Sequence, residues 1–434
     1  MTGFGVTEAA IGFGIMLALM ALGFYVAVAM AGVALLGASL YLGGPVIGAL
    51  GTQLWGATDS FTLLAVPLFV LMGEILVKGG ITDRVYRSLA LWLGPLPGGL
   101  LHTNIGASAI FAAVSGSSVA TAATIGTVAL PAFADRRYDQ RLVLGSIAGG
   151  ATLGILIPPS INMILYGVLT EVSVGDLYLA GLMPGILLAL LFSGTVAVAC
   201  LLRPSLGGRR AEFDATPALL CALLPIAALF LLVVGSIYAG LATPTEAAAL
   251  GLLGALALAG TRRALTLRTL LDAFEGTMRT TAMVMLIVLA AYFLNFVMVN
   301  IGLTRAVVGV VQDLGWPPLG VLLAIVSLYL LLGCFMDTLS LMIATTPIVV
   351  PIVVALGYDP VWFGVLFMIL IEAALITPPV GMNLFVVQAV RGGGEFREVA
   401  LGALPFLLAM LAMIALLIAV PQLAMFLPAL ARAG

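Results

Sequence analysis

Two proline pairs lie in the middle of long apolar segments: Pro158-Pro159 in GILIPPSINM and Pro378-Pro379 in AALITPPVGMN. A proline has no N–H, so within a helix each one deprives the carbonyl four residues earlier of its hydrogen-bond donor. Freed carbonyl oxygens suit a hard cation, and the helix N-terminus that follows such a break suits an anion. One pair alone could be a kink without function, but its recurrence favours two ion-binding breaks. The carbonyls concerned are those of Gly154, Ile155, Ala374 and Leu375.

Two other apolar regions, 97–134 and 318–355, have a small or polar centre between two apolar arms. This pattern is typical of a helical hairpin that enters the membrane and leaves by the same face, because irregular backbone at membrane depth needs protein or a wet cavity around it. The first centre reads Ser115-Gly116-Ser117-Ser118 and is followed by Thr121, while the second reads Cys334-Phe335-Met336-Asp337-Thr338. The hydroxyls of the first centre could bind a ligand, or the small residues could simply permit close helix packing.

Acidic side chains within the apolar segments are candidates for function, since a carboxylate at membrane depth is a functional hypothesis by default. Asp337 could bind a cation, carry a proton or cap the helix that follows it. Glu372, one turn before the second proline pair, could function similarly or make a structural hydrogen bond. We expect Glu74 to lie at the interface near the end of its span and His102 to be packed and neutral. No Lys or Arg falls within a predicted core, so an anionic substrate would have to be held by bound cations and helix N-termini.

The composition makes lipid the main solvent of this chain. Of its 434 residues, 63% are hydrophobic and 8% are charged, against roughly 25% charged in a soluble domain. A soluble enzyme and a disordered protein are excluded, and so is a nucleic-acid binder, because 17 Lys and Arg face 19 Asp and Glu. The three cysteines have no metal-like spacing and are expected to be small buried hydrophobes, and a single histidine leaves no zinc site or histidine-based triad.

Hydropathy predicts ten membrane spans and no cleavable signal peptide. Residues 5–42 are too long for one span through a hydrocarbon core of about 30 Å, so we expect two helices with a turn near Gly23. Two segments between spans, 44–60 and 264–280, are expected to lie in the membrane interface as connecting arms, the alternative being ordinary loops. The predicted spans are 5–21, 24–42, 61–78, 142–168, 181–202, 216–238, 244–260, 281–300, 361–390 and 401–428.

The distribution of cations predicts the orientation of the chain. If neither hairpin crosses the membrane, 15 of the 17 Lys and Arg residues fall on one face, and only Arg305 and Arg432 fall on the other. The positive face is cytoplasmic, so both termini are predicted to lie outside. If either hairpin crossed the membrane, every later loop would change sides and this separation would be lost.

Motifs also recur at a spacing of 220 or 221 residues, which indicates an internal duplication. The loop after the first hairpin, DRRYDQR, is basic, whereas the matching segment LGYDPVW has no cation, so the halves are predicted to face opposite sides. The predicted halves are 1–205 and 206–434. The sequence thus predicts an all-α polytopic membrane protein with about ten transmembrane helices and two re-entrant hairpins in two inverted-topology repeats. The matched positions are Gly94 and Gly315, Pro131 and Pro351, Tyr138-Asp139 and Tyr358-Asp359, the two proline pairs, and Asn162 and Asn383.

The sequence resembles the large membrane subunit of the tripartite ATP-independent periplasmic (TRAP) transporters. The resemblance covers nearly the whole chain and is carried by SGSSVATAATIGTVALPAF, GILIPPSINMILYG, AGLMPGILLALL, ATPTEAAALG, ALITPPVGMNLFVVQ and FTLLAVPLFVLMGEIL. It is weakest in residues 1–60, where Phe24-Tyr25 follows Gly23 in place of the proline common in the family. The resemblance implies a multi-pass protein of the cell inner membrane, and with it the cation distribution predicts both termini on the periplasmic side. It also implies an elevator-type secondary transporter that is driven by an inward sodium gradient and imports a small organic acid.

The resemblance further implies partners and site residues. A soluble periplasmic binding protein delivers the substrate, and a small four-helix membrane subunit completes the complex. Sodium, the coupling ion, is expected where each hairpin tip meets a broken helix. The first set of sodium residues is Ser115, Gly154, Ile157 and Pro159, and the second is Asp337, Ala374, Thr377 and Pro379. Polar residues of the tips and breaks are expected to contact the substrate, namely Ser117, Ser118, Thr121, Ser160, Asn162, Thr338 and Asn383.

Two other classes compete with the TRAP carrier. A carrier of the ion-transporter type would take dicarboxylates directly, without a binding protein, but such carriers have Ser-Asn-Thr at both tips, where this chain has Ser-Gly-Ser-Ser and Met-Asp-Thr. A non-transporting scaffold or an intramembrane enzyme is the other alternative. The sequence has no paired catalytic aspartates, histidine cluster or cofactor motif to support that class.

Overall fold

The computed structural model describes residues 6–43, 48–134, 136–208 and 216–433. The regular secondary structure in these ranges is helical, apart from one isolated bridge between Tyr138 and Gly207. The helices are Val6–Ala21, Val26–Gly37, Leu50–Thr58, Ala65–Lys78, Ile81–Leu93, Leu100–Ser115, Ser118–Phe133, Gln140–Ala151, Leu153–Leu156, Ile161–Thr170, Val174–Leu202, Pro217–Leu220, Leu224–Tyr238, Pro244–Thr261, Leu267–Asn300, Leu303–Asp313, Pro318–Leu332, Thr338–Ala355, Pro360–Leu375, Met382–Arg391, Phe396–Ala419 and Gln422–Ala433. Short 3-10 turns cover Phe61–Leu64, Pro204–Leu206 and Cys221–Leu223, and a π turn covers Ala38–Leu42.

Within these ranges, seven helices are long and apolar enough to cross a membrane, and an eighth span results if Gln140–Leu156 and Ile161–Thr170, bent by 41°, are counted together. The prediction of an all-α polytopic membrane protein is therefore confirmed. Several predicted spans, including the first two, fall on shorter apolar helices. The turn near Gly23 is present: the helix Val6–Ala21 ends just before it, Gly23 has a φ of +88°, and the next helix begins at Val26.

Two boundaries differ from the prediction. The segment 264–280 is not a separate arm, because Leu267–Asn300 is one continuous helix of 34 residues with no proline to end it. The predicted span 401–428 is divided into Phe396–Ala419 and Gln422–Ala433, and Pro421, which has no N–H, stands at the division. In the other predicted arm, Leu50–Thr58 is helical and residues 44–47 lie outside the described ranges.

Two hairpins and two broken helices form the centre of the molecule. The first hairpin consists of Leu100–Ser115 and Ser118–Phe133, and the second consists of Pro318–Leu332 and Thr338–Ala355. In each hairpin the second helix is capped at its start by a side-chain oxygen: Ser117 accepts from the Ala120 N–H, and Asp337 accepts from the Ser340 N–H. These caps satisfy backbone donors that would otherwise be left unpaired at the tips.

The broken helices follow the hairpins directly. The first broken helix runs from Gln140 to Leu156, breaks at the first proline pair and resumes as Ile161–Thr170; the second runs as Pro360–Leu375 and resumes as Met382–Arg391. Both proline pairs contain a cis peptide bond. Asp139 and Asp359, which are 220 residues apart, cap the two broken helices in the same way.

The same order of elements therefore recurs along the chain. Gly80 and Gly302, both in the left-handed conformation, precede the helices Ile81–Leu93 and Leu303–Asp313, each of which leads towards a hairpin and a broken helix. That the halves divide at 205 and face opposite sides stays a prediction.

The helix Pro360–Leu375 is buried along almost its whole length. Every residue from Val361 to Leu375 is buried, because the second hairpin, the first broken helix, Val174–Leu202 and Phe396–Ala419 all pack around it. It is also the helix that carries Glu372.

Candidate ion and substrate site

The tip of the first hairpin lies against the first break. A Cβ on Gly154 would come within 3.1 Å of the nitrogen and the Cα of Ser118, so only a glycine permits this approach without movement of the tip. On the other side of the break, a Cβ on Gly116 would be 3.4 Å from the carbonyl oxygen of Pro159. The structure thus brings Gly154 and Pro159 together with the tip, and that an ion binds there stays a prediction. Ser115 ends the first arm of the hairpin, and its side chain lies outside the described part of the structure.

The first break is enclosed on all sides. Every residue from Ala151 to Ser160 is buried, including Ile157, whose Cγ1 lies 2.9 Å from the position of a Cβ on Gly185. The Ser160 hydroxyl caps the second part of the broken helix, 3.4 Å from the Met163 nitrogen, and the Ser160 carbonyl accepts a hydrogen bond from the Tyr178 hydroxyl at 3.3 Å. Ser160 therefore stabilises the conformation of the break through its hydroxyl and its carbonyl.

The tip of the second hairpin lies against the second break in the same way. A Cβ on Gly333 would be 2.0 Å from the Cβ of Ala374, and the sulfur of Cys334 lies 3.8 Å from the Pro378 carbonyl oxygen. Asp337 accepts hydrogen bonds from the Ser340 N–H at 3.1 Å and from the Ser340 hydroxyl. Of its predicted roles, capping is therefore present, and binding a cation or carrying a proton stays a prediction.

One inference from the proline pairs is wrong in detail. The carbonyl of Ala374 is not left without a donor, because the chain tightens into a 3-10 turn and the Thr377 N–H reaches it at 3.2 Å. The Thr377 hydroxyl donates to the Ala373 carbonyl at 2.7 Å. A carbonyl oxygen has two lone pairs, so Ala374 keeps one for a further ligand. Pro379, unlike Pro159, is exposed, so the second break is more open than the first.

A hydrogen bond that the sequence did not predict joins the two halves. The hydroxyl of Ser118, at the first tip, donates to Oε1 of Glu372, 254 residues later in the second broken helix. Glu372 is 1% exposed, and its Oε2 has no hydrogen-bond partner in the described ranges. The sequence indicated Ser118 and Glu372 as two separate candidates for function. No local pattern or repeat spacing could have shown that their side chains are in contact.

Two asparagines stand just beyond the breaks. Asn383 is fully buried, and neither Oδ1 nor Nδ2 of its side chain has a hydrogen-bond partner in the described part of the chain. Nδ2 of Asn162, which is 3% exposed, also lacks a hydrogen-bond partner there. An unsatisfied buried amide costs about 1–3 kcal/mol, which is tolerated where a ligand supplies the missing partner. Among the other predicted substrate residues, the Thr121 hydroxyl donates to the Ser117 carbonyl at 2.7 Å, and Thr338 begins its helix at the second tip.

The remaining candidates are structural. Glu74 forms an ion pair with Lys78 at 3.4 Å, consistent with an interfacial acid, and His102 is 3% exposed with Nε2 2.7 Å from the Pro97 carbonyl oxygen. Cys200 and Cys334 are buried as predicted, but Cys221 is exposed, because it lies in a short turn at the start of a span. Among the described residues, no group of three metal-binding side chains exists.

Comparison with known proteins identifies the family. Residues 13–423 match the family described as tripartite ATP-independent periplasmic transporter, DctM component. The chain belongs to this family. Similar proteins include the sialic acid TRAP transporter large permease protein SiaM of Vibrio cholerae, 34% identical over 87% of this chain and 88% of that protein. The C4-dicarboxylate TRAP transporter large permease protein DctM of Pseudomonas aeruginosa is 32% identical over 87% and 89%, respectively. The ectoine TRAP transporter large permease protein TeaC of Halomonas elongata is 30% identical over 96% and 98%.

Solved structures support the fold. The YdaH transporter of Alcanivorax borkumensis superposes with a TM-score of 0.67 over 90% of each chain at 17% identity. MtrF of Neisseria gonorrhoeae superposes with a TM-score of 0.58 over 85% of this chain and 83% of that one at 15% identity. Membership of the TRAP family makes the chain a multi-span transport protein rather than an enzyme. TRAP large permeases work with a small membrane subunit and a periplasmic binding protein.

Proposed function

We propose that this chain is the large membrane subunit of a sodium-coupled importer of a small organic acid. The observation that carries the proposal is the repeated junction of a hairpin tip with a proline-broken helix: Gly154 lies against Ser118, and Ala374 lies against Gly333. Each junction concentrates carbonyl and hydroxyl oxygens at the centre of an apolar protein. Such oxygens can replace the hydration shell of a sodium ion.

The distribution of buried charges indicates how the substrate would be bound. In the described ranges, Glu372 is the only buried carboxyl and no Lys or Arg is buried, so the interior itself offers an organic anion no fixed positive charge. Bound sodium ions and the helix N-termini beyond the breaks would supply that attraction, with Asn162 and Asn383 as hydrogen-bonding partners. Binding of the anion and of the cation would then be coupled by electrostatics. The relatives act on sialic acid, C4-dicarboxylates and ectoine by their names, and we place this substrate in the same class of small carboxylates.

The transport step moves a rigid body that is larger than the sequence indicated. From the sequence, the mobile unit comprises roughly 94–168 and 315–390. However, a Cβ on Gly145 would lie 1.9 Å from the Gly402 carbonyl oxygen, and one on Gly149 would lie 2.7 Å from Phe406. Backbones packed this closely do not slide past each other. The mobile body therefore includes Phe396–Ala419 and, by its packing on the same helices, Val174–Leu202.

Partners and location complete the proposal. A soluble binding protein delivers the substrate on the periplasmic side, and a four-helix membrane subunit packs against the helices that lie outside the mobile body. The protein lies in the cell inner membrane with both termini periplasmic, as the positive-inside distribution predicts.

The test is reconstitution in liposomes. Uptake of an organic acid should require this chain, the small subunit and a loaded binding protein together, and any two of the three should give only background uptake. Rapid uptake by the isolated chain would contradict the proposal and favour a direct dicarboxylate carrier. The matched control is the complete complex with an unloaded binding protein.

A further inference from the structure

Glu372 is an acid in a position where an isolated negative charge is unfavourable. It is 1% exposed in a helix that is buried on every side, and one of its two carboxylate oxygens has no hydrogen-bond partner in the described ranges. None of the ion pairs found in those ranges includes it. A buried carboxylate is stabilised by a nearby cation, and it is costly without one.

The position of Glu372 indicates where that cation binds. Its carboxylate is linked through the Ser118 hydroxyl to the first hairpin tip, and the backbone of Ser118 is in turn the part of the tip that lies against Gly154. The carboxylate thus reaches the first junction from the opposite half of the chain. The ligands proposed there, which are backbone carbonyls and the Ser115 hydroxyl, are all neutral.

The second junction has an acid of its own. Asp337 stands at the second tip, and the residue 220 positions earlier at the first tip is the neutral Ser117. Conversely, the residue 220 positions before Glu372 is Thr152, a neutral residue whose hydroxyl donates to the Gly149 carbonyl at 2.6 Å. With Glu372 assigned to the first junction, each of the two junctions has one carboxylate.

We propose that Glu372 supplies the negative charge of the first sodium site, acting across the two halves through Ser118. This assignment rests on the proposed sodium coupling. It makes Glu372 a positioning and charge-balancing residue of the first site, and Ser118 the group that connects it to the tip. Sodium binding at the first junction then also holds the first hairpin onto the second broken helix.

The test is a sodium titration of the purified complex of the large and small subunits. Choline chloride keeps the ionic strength constant, and the midpoint of thermal unfolding is measured at each sodium concentration. We expect sodium to stabilise the wild type, and Glu372→Gln to raise the half-saturating sodium concentration at least tenfold. Ser118→Ala should also raise the half-saturating sodium concentration. In the double variant, this concentration should be no higher than in Glu372→Gln alone. Glu74→Gln, the same substitution at an acid paired with Lys78, should behave as the wild type.

The outcomes separate the two proposals. Suppose that sodium stabilises the wild type and that the half-saturating sodium concentration of Glu372→Gln is within twofold of the wild-type value. The Glu372 carboxyl then supplies no charge to the sodium site, so this assignment is wrong, while sodium coupling stands. If neither the wild type nor Glu74→Gln responds to sodium, sodium coupling itself is wrong. Should Glu372→Gln fail to fold, an unchanged half-saturating concentration in Ser118→Ala would overturn the assignment.

Discussion

Gly145 and Gly402 cross so closely that a Cβ on Gly145 would lie 1.9 Å from the carbonyl oxygen of Gly402, and a Cβ on Gly402 would lie 2.0 Å from the carbonyl oxygen of Arg141. This crossing fixes the first broken helix to the helix Phe396–Ala419, which belongs to the other half of the chain. The crossing therefore ties the two parts of the chain together beside the first break.

The first prediction concerns this crossing. Gly145→Ala and Gly402→Ala should each force the two helices apart and lower stability by about 1–3 kcal/mol, the usual cost of overpacking. The measurement is the thermal unfolding midpoint of the purified complex. Gly194→Ala is the control, because a Cβ there meets no atom within 4 Å. Equal midpoints for Gly145→Ala and the control would contradict the described packing.

The second prediction concerns the moving body. Val297 in the long helix and Ile348 in the second hairpin line the same cavity. We place a cysteine at each of these positions in a variant whose three native cysteines are replaced by alanine. Crosslinking this pair should stop uptake. Docking of the binding protein should be unaffected. A pair at Gly126 and Val390 is the control, because both positions lie within the proposed mobile body and a Cβ on Gly126 would be 3.2 Å from Val390.

Full uptake after complete crosslinking of Val297 to Ile348 would show that the second hairpin does not move against the long helix. Loss of uptake in the crosslinked control pair would show that the proposed body is not rigid during transport.

The third prediction separates the two roles of Asp337. Asparagine caps a helix about as well as aspartate, so Asp337→Asn should keep the stability of the second hairpin but weaken sodium activation of uptake. Asp337→Ala should also lose the cap and about 1 kcal/mol of stability. Unfolding midpoints and half-saturating sodium are measured on the same preparations. Unchanged sodium activation in a stable Asp337→Asn would restrict this residue to capping.

The fourth prediction concerns Asn383. Its buried amide lacks partners in the described ranges, so Asn383→Ala should raise the half-saturating substrate concentration roughly 5- to 30-fold, as expected for a lost contact of about 1–2 kcal/mol. Half-saturating sodium at saturating substrate should change less. Asn300→Ala, at an exposed amide that bonds the Phe296 carbonyl, is the control. An unchanged substrate requirement in Asn383→Ala would remove it from the substrate site.

The sequence was sufficient for the parts of this structure that depend on local chemistry. The proline pairs predicted both breaks, and the apolar arms with polar centres predicted both hairpins, because proline and membrane burial restrict the backbone independently of tertiary contacts. The start of the helix Leu267–Asn300 was misjudged because an amphipathic segment can lie in an interface or simply continue a span. The pairing of Ser118 with Glu372 and the crossing of Gly145 with Gly402 join residues over 250 positions apart, and no periodicity records such contacts.

The central claim is that the hairpin–break junctions bind the sodium that drives uptake. It is tested most directly by the dependence of uptake on external sodium in liposomes that contain the complete complex, for the wild type, Ser115→Ala and the control Ser39→Ala. The Ser39 hydroxyl donates to the nearby Leu36 carbonyl at 2.9 Å. We predict uptake that requires sodium in all three. We also predict a half-saturating sodium concentration that rises roughly 5- to 30-fold in Ser115→Ala alone, as expected for a lost contact of about 1–2 kcal/mol. Uptake by the wild type that is the same in sodium and in choline would contradict the account.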